Sequence, residues 1–562
     1  MSTLKQERLV LSLALLGSLL GVPLSAQAGQ FTLTSTPFNI GSNVTITTSA
    51  GVSGWHYMLM YDEQSGDNYI GGEWLGLGLS PAFRIVNSAT IPSNGTIDCS
   101  VYLPNDPSLV GRQCFFQSME VSPTWDEIHT SNRLDVTVES GGGGSYQSQV
   151  SSYGITWTFG GSYEVGQFAN GDWWVVGPVR IIAIDPPSVS SGGRIMNGSM
   201  VNPPTEDYQG YDSAMYTYPN GYSPDYDPKL NVAYGVSSQS PLVLQAGSSL
   251  VSTRSIEDLY NKNCLQTAAV LTVLSSPAAA GSFRPPYCGT DKTIRYNKSQ
   301  LSYSMFKKLA PVSGTPQLST VVDQFARVWL DHIPGWRGEE YSHPVDNFPN
   351  YGREISTRMG IGALMLNLDF TDSQKEPLLI SMCQIGIDNY GVIMADGRDN
   401  WPGYGGMESG RFFPILVAGI ILNDTSLKSI GEKTLPNGGD YHFGEIDQTF
   451  YVRETSPGVY NEGYGGYGPS DVGVPEWGIR HWWQIQEDNK DWGAAYRECC
   501  TANSWSGYIL ASRMMGIKSL WHHDAIFDYL DRYIPKEPKG DSRRVWDRPF
   551  TESMWDTYRS KF

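Results

Sequence analysis

Ser140-Gly141-Gly142-Gly143-Gly144-Ser145 is the stretch from which the organisation of this chain is read. Four consecutive glycines between serines lose too much backbone entropy on ordering to serve as a structural element, so 140–145 is a flexible linker. Before it, from about 30 to 139, short alternating runs recur: Val44–Thr47, His56–Tyr61, Ala82–Val86 and Leu134–Val138. Period-two alternation between turn residues predicts a β-sandwich of immunoglobulin-like size, an accessory domain. After the linker, 146–312 holds further strand patterns at Ile155–Phe159, Asp172–Val176, Val179–Ile184 and Ala268–Leu274, with a long Tyr/Pro/Asp/Gly stretch from Asn202 to Leu230. This block is predicted to be a β-rich domain.

From 313 to 562 the period changes. Leu318, Val321, Val322, Phe325, Val328 and Trp329 recur at helical spacing behind Thr315-Pro316. Stretches 353–367 and 375–394 are apolar nearly all round, which predicts buried helices. Long Gly/Tyr/Trp loops, above all 397–410 and 454–478, separate the helical segments. The expectation is a multidomain α+β protein whose C-terminal part is an α/α array, an incomplete toroid-like domain carrying the active site.

The 562 residues include 39 Lys+Arg and 57 Asp+Glu, a formal charge of −18. That balance argues against a nucleic-acid partner, whose phosphates need a basic face. Charged residues are 17% and aromatics 12%, too few and too many respectively for a disordered chain. Lys5 and Arg8, the apolar Leu9–Leu20 and the small-residue site Ala26-Gln27-Ala28 together read as a secretory signal peptide over 1–28. A secreted or periplasmic protein without a membrane span is therefore expected. Cysteine pairing fits such a compartment, and Cys99–Cys114 and Cys264–Cys288 read as local disulfides. Cys383, Cys499 and Cys500 are left over, and read as buried structural residues.

Familiar catalytic motifs are absent: there is no nucleophile elbow, no phosphate-binding loop and no zinc spacing among the eight histidines. No cofactor is expected. The acidic turns Asp62–Asp67 and Asp207–Asp227 read first as solvated loops, with structural calcium as the alternative. What remains is a set of polar residues on the loops of the helical block. The first cluster, His343 to Glu354, contains Asn347, Tyr351 and Arg353 and ends where a buried helix begins. The second, Trp401 to Arg411, combines glycines with the flat faces of Trp401 and Tyr404 and with Glu408 and Arg411. The third holds Tyr464 and then Pro475-Glu476-Trp477-Gly478-Ile479-Arg480-His481.

Gly166 to Pro178, Tyr351-Gly352-Arg353-Glu354 and Pro475 to His481 resemble segments of secreted bacterial proteins. A β-sandwich followed by an aromatic-lined α/α domain is similar to the architecture of toroid polysaccharide lyases and of some toroid glycoside hydrolases. The segment likeness brings no established activity and no catalytic residue with it; the architectural resemblance is what implies a polysaccharide substrate.

Chemistry supplies the roles. β-Elimination on a uronate needs a group that neutralises the carboxylate, a base for the α-proton and an acid for the leaving oxygen. Arg353 or Asn347 is the expected neutraliser, His481 or Tyr351 the base, and Tyr464 the acid. Arg411, Arg480, His343, Trp401, Tyr404 and Trp477 are expected to bind substrate. Hydrolysis instead needs two carboxyls across the scissile bond, for which Glu408, Glu476, Glu354 and Asp331 are candidates. A non-catalytic glycan-binding or surface protein is the third reading.

Overall fold

The computed structural model describes residues 31–562 apart from 37, 39–42, 71–72, 81, 104–108, 110, 139–144, 216–224, 258–263, 334–341, 349–352, 397–400, 404, 433–441, 464, 479–494 and 537–547. The expected signal peptide and most of the glycine linker lie outside the described residues. The chain forms two compact units, 1–145 and 146–562. It is a mixed α+β protein with many strands in sheets and ten α-helices among the described residues.

The first unit holds ten strands among the described residues. They are β1 (Thr32–Ser35), β2 (Asn43–Ser49), β3 (His56–Asp62), β4 (Ser65–Ile70), β5 (Glu73–Leu77), β6 (Arg84–Thr90), β7 (Ile97–Tyr102), β8 (Gln113–Val121), β9 (Ile128–Thr130) and β10 (Leu134–Thr137). One sheet has the order β1-β2-β7, and a five-stranded sheet has β10-β8-β3-β6 with β9 also on β8. Alternation along β3 sends Tyr57 and Leu59 to the core shared with Leu33, Val44 and Ile46. Met58 and Met60 point the other way, where Leu75 and Leu77 of the β4–β5 hairpin cover them. Burial on both faces explains why β3 reads as an almost unbroken apolar run.

The expected disulfides do not form. Cys99 and Cys114 are free and buried, on strands that belong to different sheets. The Cys114 thiol instead donates to the Tyr61 hydroxyl at 3.8 Å. Cys264 and Cys288 are likewise buried, and no disulfide joins them. Flanking a hairpin or a loop does not bring two Cα atoms within disulfide range. The bond that does form joins Cys499 to its neighbour Cys500.

The second unit is organised on an eight-stranded sheet. Its strands are β11 (Ser145–Ser152), β12 (Ile155–Gln167), β13 (Trp173–Val176), β14 (Val179–Asp185), β15 (Ser199–Val201), β16 (Leu242–Leu244), β17 (Ser248–Ser255) and β18 (Leu265–Leu274). The order is β15-β17-β18-β13-β12-β14-β16, with β11 on β12. One face buries Trp157, Phe159, Ile181, Leu250 and Leu271. Val251, Leu265, Ala268 and Val270 turn to the opposite face and enter the same core as the helices. The strand block and the helical block thus share one hydrophobic interior, and no division falls near 312.

The Gly166–Pro178 segment belongs to this interior. Gly166 lies opposite Trp174 in the β12–β13 pair, and a Cβ there would stand 2.3 Å from the indole. Asp172 accepts from Arg284 Nε at 2.6 Å, while the other end of that guanidinium pairs with Asp388 at 2.6 Å. All three side chains are buried, so the motif ties sheet to helices.

The helices are α1 (Leu318–Phe325), α2 (Arg353–Leu366), α3 (Asp372–Asp396), α4 (Phe412–Ile421), α5 (Thr425–Lys428), α6 (Gly444–Asp447), α7 (Ala495–Cys499), α8 (Ala502–Met515), α9 (Asp524–Tyr533) and α10 (Arg548–Tyr558). Helices α2 and α8 pack backbone to backbone where Gly360 meets Gly507: a Cβ on Gly360 would lie 3.0 Å from the Gly507 Cα. Helix α3 packs on α4. Asp372–Ala395 of α3 is long and apolar enough to cross a membrane by length and composition, and 83% of its most apolar window is buried inside the fold.

Candidate functional site

The first turns of α2 and α4 and the approach to α8 meet at one end of the helical layer. Arg353 opens α2 and donates through Nη1 to the carbonyl of Cys499 at 2.9 Å. Gly406, in the loop before α4, lies against Cys500 and Arg353; a Cβ there would stand 2.7 Å and 3.1 Å from their Cβ atoms. Gly410 has φ +89° and leaves no room for a Cβ against Ser356 of α2. Three helix N-termini, whose positive dipole ends favour negative charge, are thereby brought together.

Beneath them runs a buried ionic network. Arg411, at the N-cap of α4, donates through Nη2 and Nε to Asp331 Oδ1 at 2.6 and 3.2 Å. Its Nη1 donates to the Ser409 carbonyl at 2.8 Å. His343 Nε2 stands 3.4 Å from the same Asp331 oxygen. Burial, with the Arg411 cation nearby, pushes the His343 imidazole down to about 4 despite Asp331, so the ring is neutral near pH 7. Among the described residues Asp331 Oδ2 has no hydrogen-bond partner.

His332 follows directly. Its Nε2 is 3.3 Å from the Tyr211 hydroxyl and its Nδ1 is 3.3 Å from that of Tyr287. Tyr287 Oη accepts the Asp331 amide at 2.9 Å. Burial drives His332 down to about 3.

Glu445 of α6 completes the floor. Its Oε2 accepts the Gly410 amide at 3.0 Å, and its Oε1 has no hydrogen-bond partner among the described residues. Desolvation raises this carboxyl to about 7, although two backbone amides and Arg411 act in the opposite direction. Tyr508 of α8 is buried beside it; burial and the Glu445 charge hold its phenol well above the ordinary range.

The residues expected from sequence fall into two groups. Arg353 is partly buried, and Asn347, His343, Glu408, Arg411, Trp401 and Trp477 are buried. Asn347 Nδ2 donates to the Val328 carbonyl at 2.6 Å, so this donor holds a loop rather than a ligand. Trp401 stacks on Phe443 at 5.8 Å. Trp477 lies under the Arg497 guanidinium, at 5.3 Å. Arg497 in turn pairs with Glu476 at 3.2 Å, and Arg532 also donates to Glu476. These aromatics are walls of the core rather than open platforms. His481, Tyr351, Tyr464, Arg480 and Tyr404 lie outside the described residues.

His332, Glu445, Tyr287 and Tyr508 were not legible as site residues. For Glu445 the signal was available: a carboxylate between Phe443 and Ile446, next to a glycine, has to bury its charge if the flanking apolar residues are buried. In the acidic turns two buried carboxylates have protein partners. Asp62 accepts from Ser80 N at 2.8 Å and from Gln64 N at 3.2 Å, and Asp212 pairs with Arg194 at 2.7 Å. Among the described residues no group of three or more His, Cys, Asp and Glu side chains is gathered for a metal ion.

No protein-family model matches the chain, and no curated protein matches it. Solved structures give faint likenesses. The cellulose-active LPMO CelS2 with copper is 15% identical over 19% of this chain and 54% of its own length, at a TM-score of 0.14. Spo0M, the sporulation control protein from Bacillus subtilis, is 8% identical over 43% of this chain and 90% of its own, at 0.13. A Salmonella alpha-2-macroglobulin is 11% identical over 96% of this chain and 34% of its own, at 0.16. At such scores none carries an argument about fold or activity.

Proposed function

We propose that this is an exported polysaccharide-degrading enzyme, a lyase that cleaves a uronate-containing glycan by β-elimination at the α2/α4/α8 end of an incomplete toroid-like helical layer. The observation that supports the reading is the convergence of three helix N-termini on Arg353, above the buried Arg411–Asp331–His343 network. A uronate carboxylate needs such a place, since its α-proton becomes removable only when the carboxylate charge is neutralised. Arg353 is the proposed neutraliser, and the helix amides add to its field. The buried ions orient this end of the helices. His481 or Tyr351 is the proposed base and Tyr464 the proposed acid. The net charge of −18 makes this local positive field necessary for a polyanionic substrate. The N-terminal sandwich, immunoglobulin-like in this reading, is an accessory.

A second reading, hydrolysis, is favoured by Glu445. A carboxyl held protonated up to about pH 7 is what a general acid requires, and Glu408 belongs to the same loop contact, its carbonyl accepting the Gly444 amide at 2.8 Å.

The deciding experiment incubates the protein with a panel of uronate and neutral polysaccharides. The ultraviolet absorbance of an unsaturated uronate end group is expected, and it disappears in Arg353→Ala. New reducing ends without that absorbance select hydrolysis. Binding of a glycan with neither signal selects the non-catalytic reading.

A further inference from the structure

Cys499 and Cys500 are bonded to each other, closing a small ring through their own peptide bond. The pair sits immediately before Thr501, the N-cap of α8. Cys500 is 3% exposed, whereas Cys499 is partly accessible. Three contacts link the ring to the end of the helices described above. Arg353 Nη1 donates to the Cys499 carbonyl, and the same nitrogen lies 4.0 Å from Cys500 Sγ. Gly406 presses on the Cβ and carbonyl of Cys500. Ser504 Oγ donates to the Cys500 carbonyl at 2.9 Å. The remaining cysteines are buried and take part in no disulfide; burial pushes the Cys288 thiol up to about 12 and raises Cys383 as well, which leaves both unreactive.

We infer that Cys499–Cys500 is a redox-active site, reduced by small dithiols, whose oxidised form clamps Arg353 and the Gly405–Arg411 loop in place. The geometry assigns the direction of attack. A dithiol's thiolate attacks Sγ of Cys499, the more exposed residue of the pair, the Sγ–Sγ bond breaks, and Cys500 leaves as a thiolate next to the Arg353 guanidinium, which stabilises the departing charge. The second thiol of the reductant then displaces Cys499. Two electrons pass to the protein, two protons end on the cysteine sulfurs, and the reductant leaves as a cyclic disulfide. With the ring open, the 499–500 peptide is released from the conformation that offers its carbonyl to Arg353 and its Cβ to Gly406. An oxidising compartment keeps the clamp closed.

The inference shares Arg353 with the proposed function, but its readouts use no polysaccharide, so the two fail separately. The full-length protein is digested without reduction, and the peptide carrying 499–500 is weighed before and after dithiothreitol treatment. Phenylarsine oxide, which bridges adjacent thiols, is then titrated onto native and reduced protein, and amide hydrogen exchange is followed at 353–360 and 405–411. The expected result is a peptide two hydrogens lighter in the native protein and arsenical binding only after reduction. Exchange in both segments should rise at least several-fold on reduction. Cys499→Ser should abolish arsenical binding and show the fast exchange without any reductant. Free thiols at both positions in the native protein overturn the inference. So does reduction that leaves exchange at 353–360 and 405–411 unchanged, a comparison on the unaltered chain that needs no variant to fold.

Discussion

Arg411 and Asp331, separated by 80 residues in sequence, meet in the interior through two N–H donors on one carboxylate oxygen, at 2.6 and 3.2 Å. Both residues are nearly inaccessible, at 0% and 4%. Removing one partner leaves a charge with no water to solvate it. Arg411→Met or Asp331→Leu alone is therefore expected to cost about 3–5 kcal/mol in urea denaturation. Arg411→Met with Asp331→Leu should cost much less than the sum. Additive losses would mean that the two charges do not act as a pair.

Glu445 carries a pH prediction. Its carboxyl is raised to about 7 by burial, against an unfolded value of 4.5. Between those values the folded chain keeps a proton that the unfolded chain has released, so stability falls as pH rises from about 4.5 to about 7 and is level above. The difference amounts to about 3 kcal/mol at most. Glu445→Gln should remove this slope, which is read by subtracting the variant's stability–pH curve from that of the parent. A slope that persists in Glu445→Gln assigns the titration elsewhere.

His343 and His332 act in the opposite sense. Their folded values are lowered to about 4 and about 3, below the unfolded 6.5. The unfolded chain binds protons first on acidification, so their contribution is intact above about pH 6.5 and is lost as pH falls towards 4 and 3. Each is expected to supply a few kcal/mol of acid sensitivity at most. Imidazole resonances followed by NMR should stay those of the neutral ring at pH 5.5; protonation of His332 there would contradict its seat between Tyr211 and Tyr287.

Gly166→Ala tests the sheet. The added methyl would stand 2.3 Å from the Trp174 ring, inside contact distance of a buried indole. A loss of about 1–3 kcal/mol is expected. Gly171→Ala, four residues beyond β12's Gln167 at a turn with φ +87° and open space around it, makes the control: its cost should come from backbone strain alone, near 1 kcal/mol. Equal effects would remove the packing explanation for Gly166.

The periodicity of the sequence was informative where one face of an element decides its composition. The alternation in β12, Ile155-Thr156-Trp157-Thr158-Phe159, follows a buried–partly buried pattern residue by residue. It was less informative where an element is buried all round. β18 and α3 are both apolar runs, and nothing local reveals that β18 packs its second face on the helices. A composition shift at 312 therefore looked like a domain boundary although the interior crosses it. Arg353 and Arg411 were legible as site candidates because they open helices behind glycine loops. Whether such a residue faces solvent or the core depends on contacts from distant segments, as Asp331 shows for Arg411. The Cys99 and Cys264 pairings failed for the same reason, since pairing is decided by Cα separation and not by spacing along the chain.

The two-faced burial of β18 has a bearing on how this protein can be dissected. Removing everything after 312 would uncover Val251, Leu265, Ala268 and Val270 as a greasy wall, and releasing the helices alone would strip Ile355, Met359 and their neighbours of their seat. Residues 146–562 must therefore be expressed as one piece, and the division between the two units, at the glycine run ahead of them, is the place to cut.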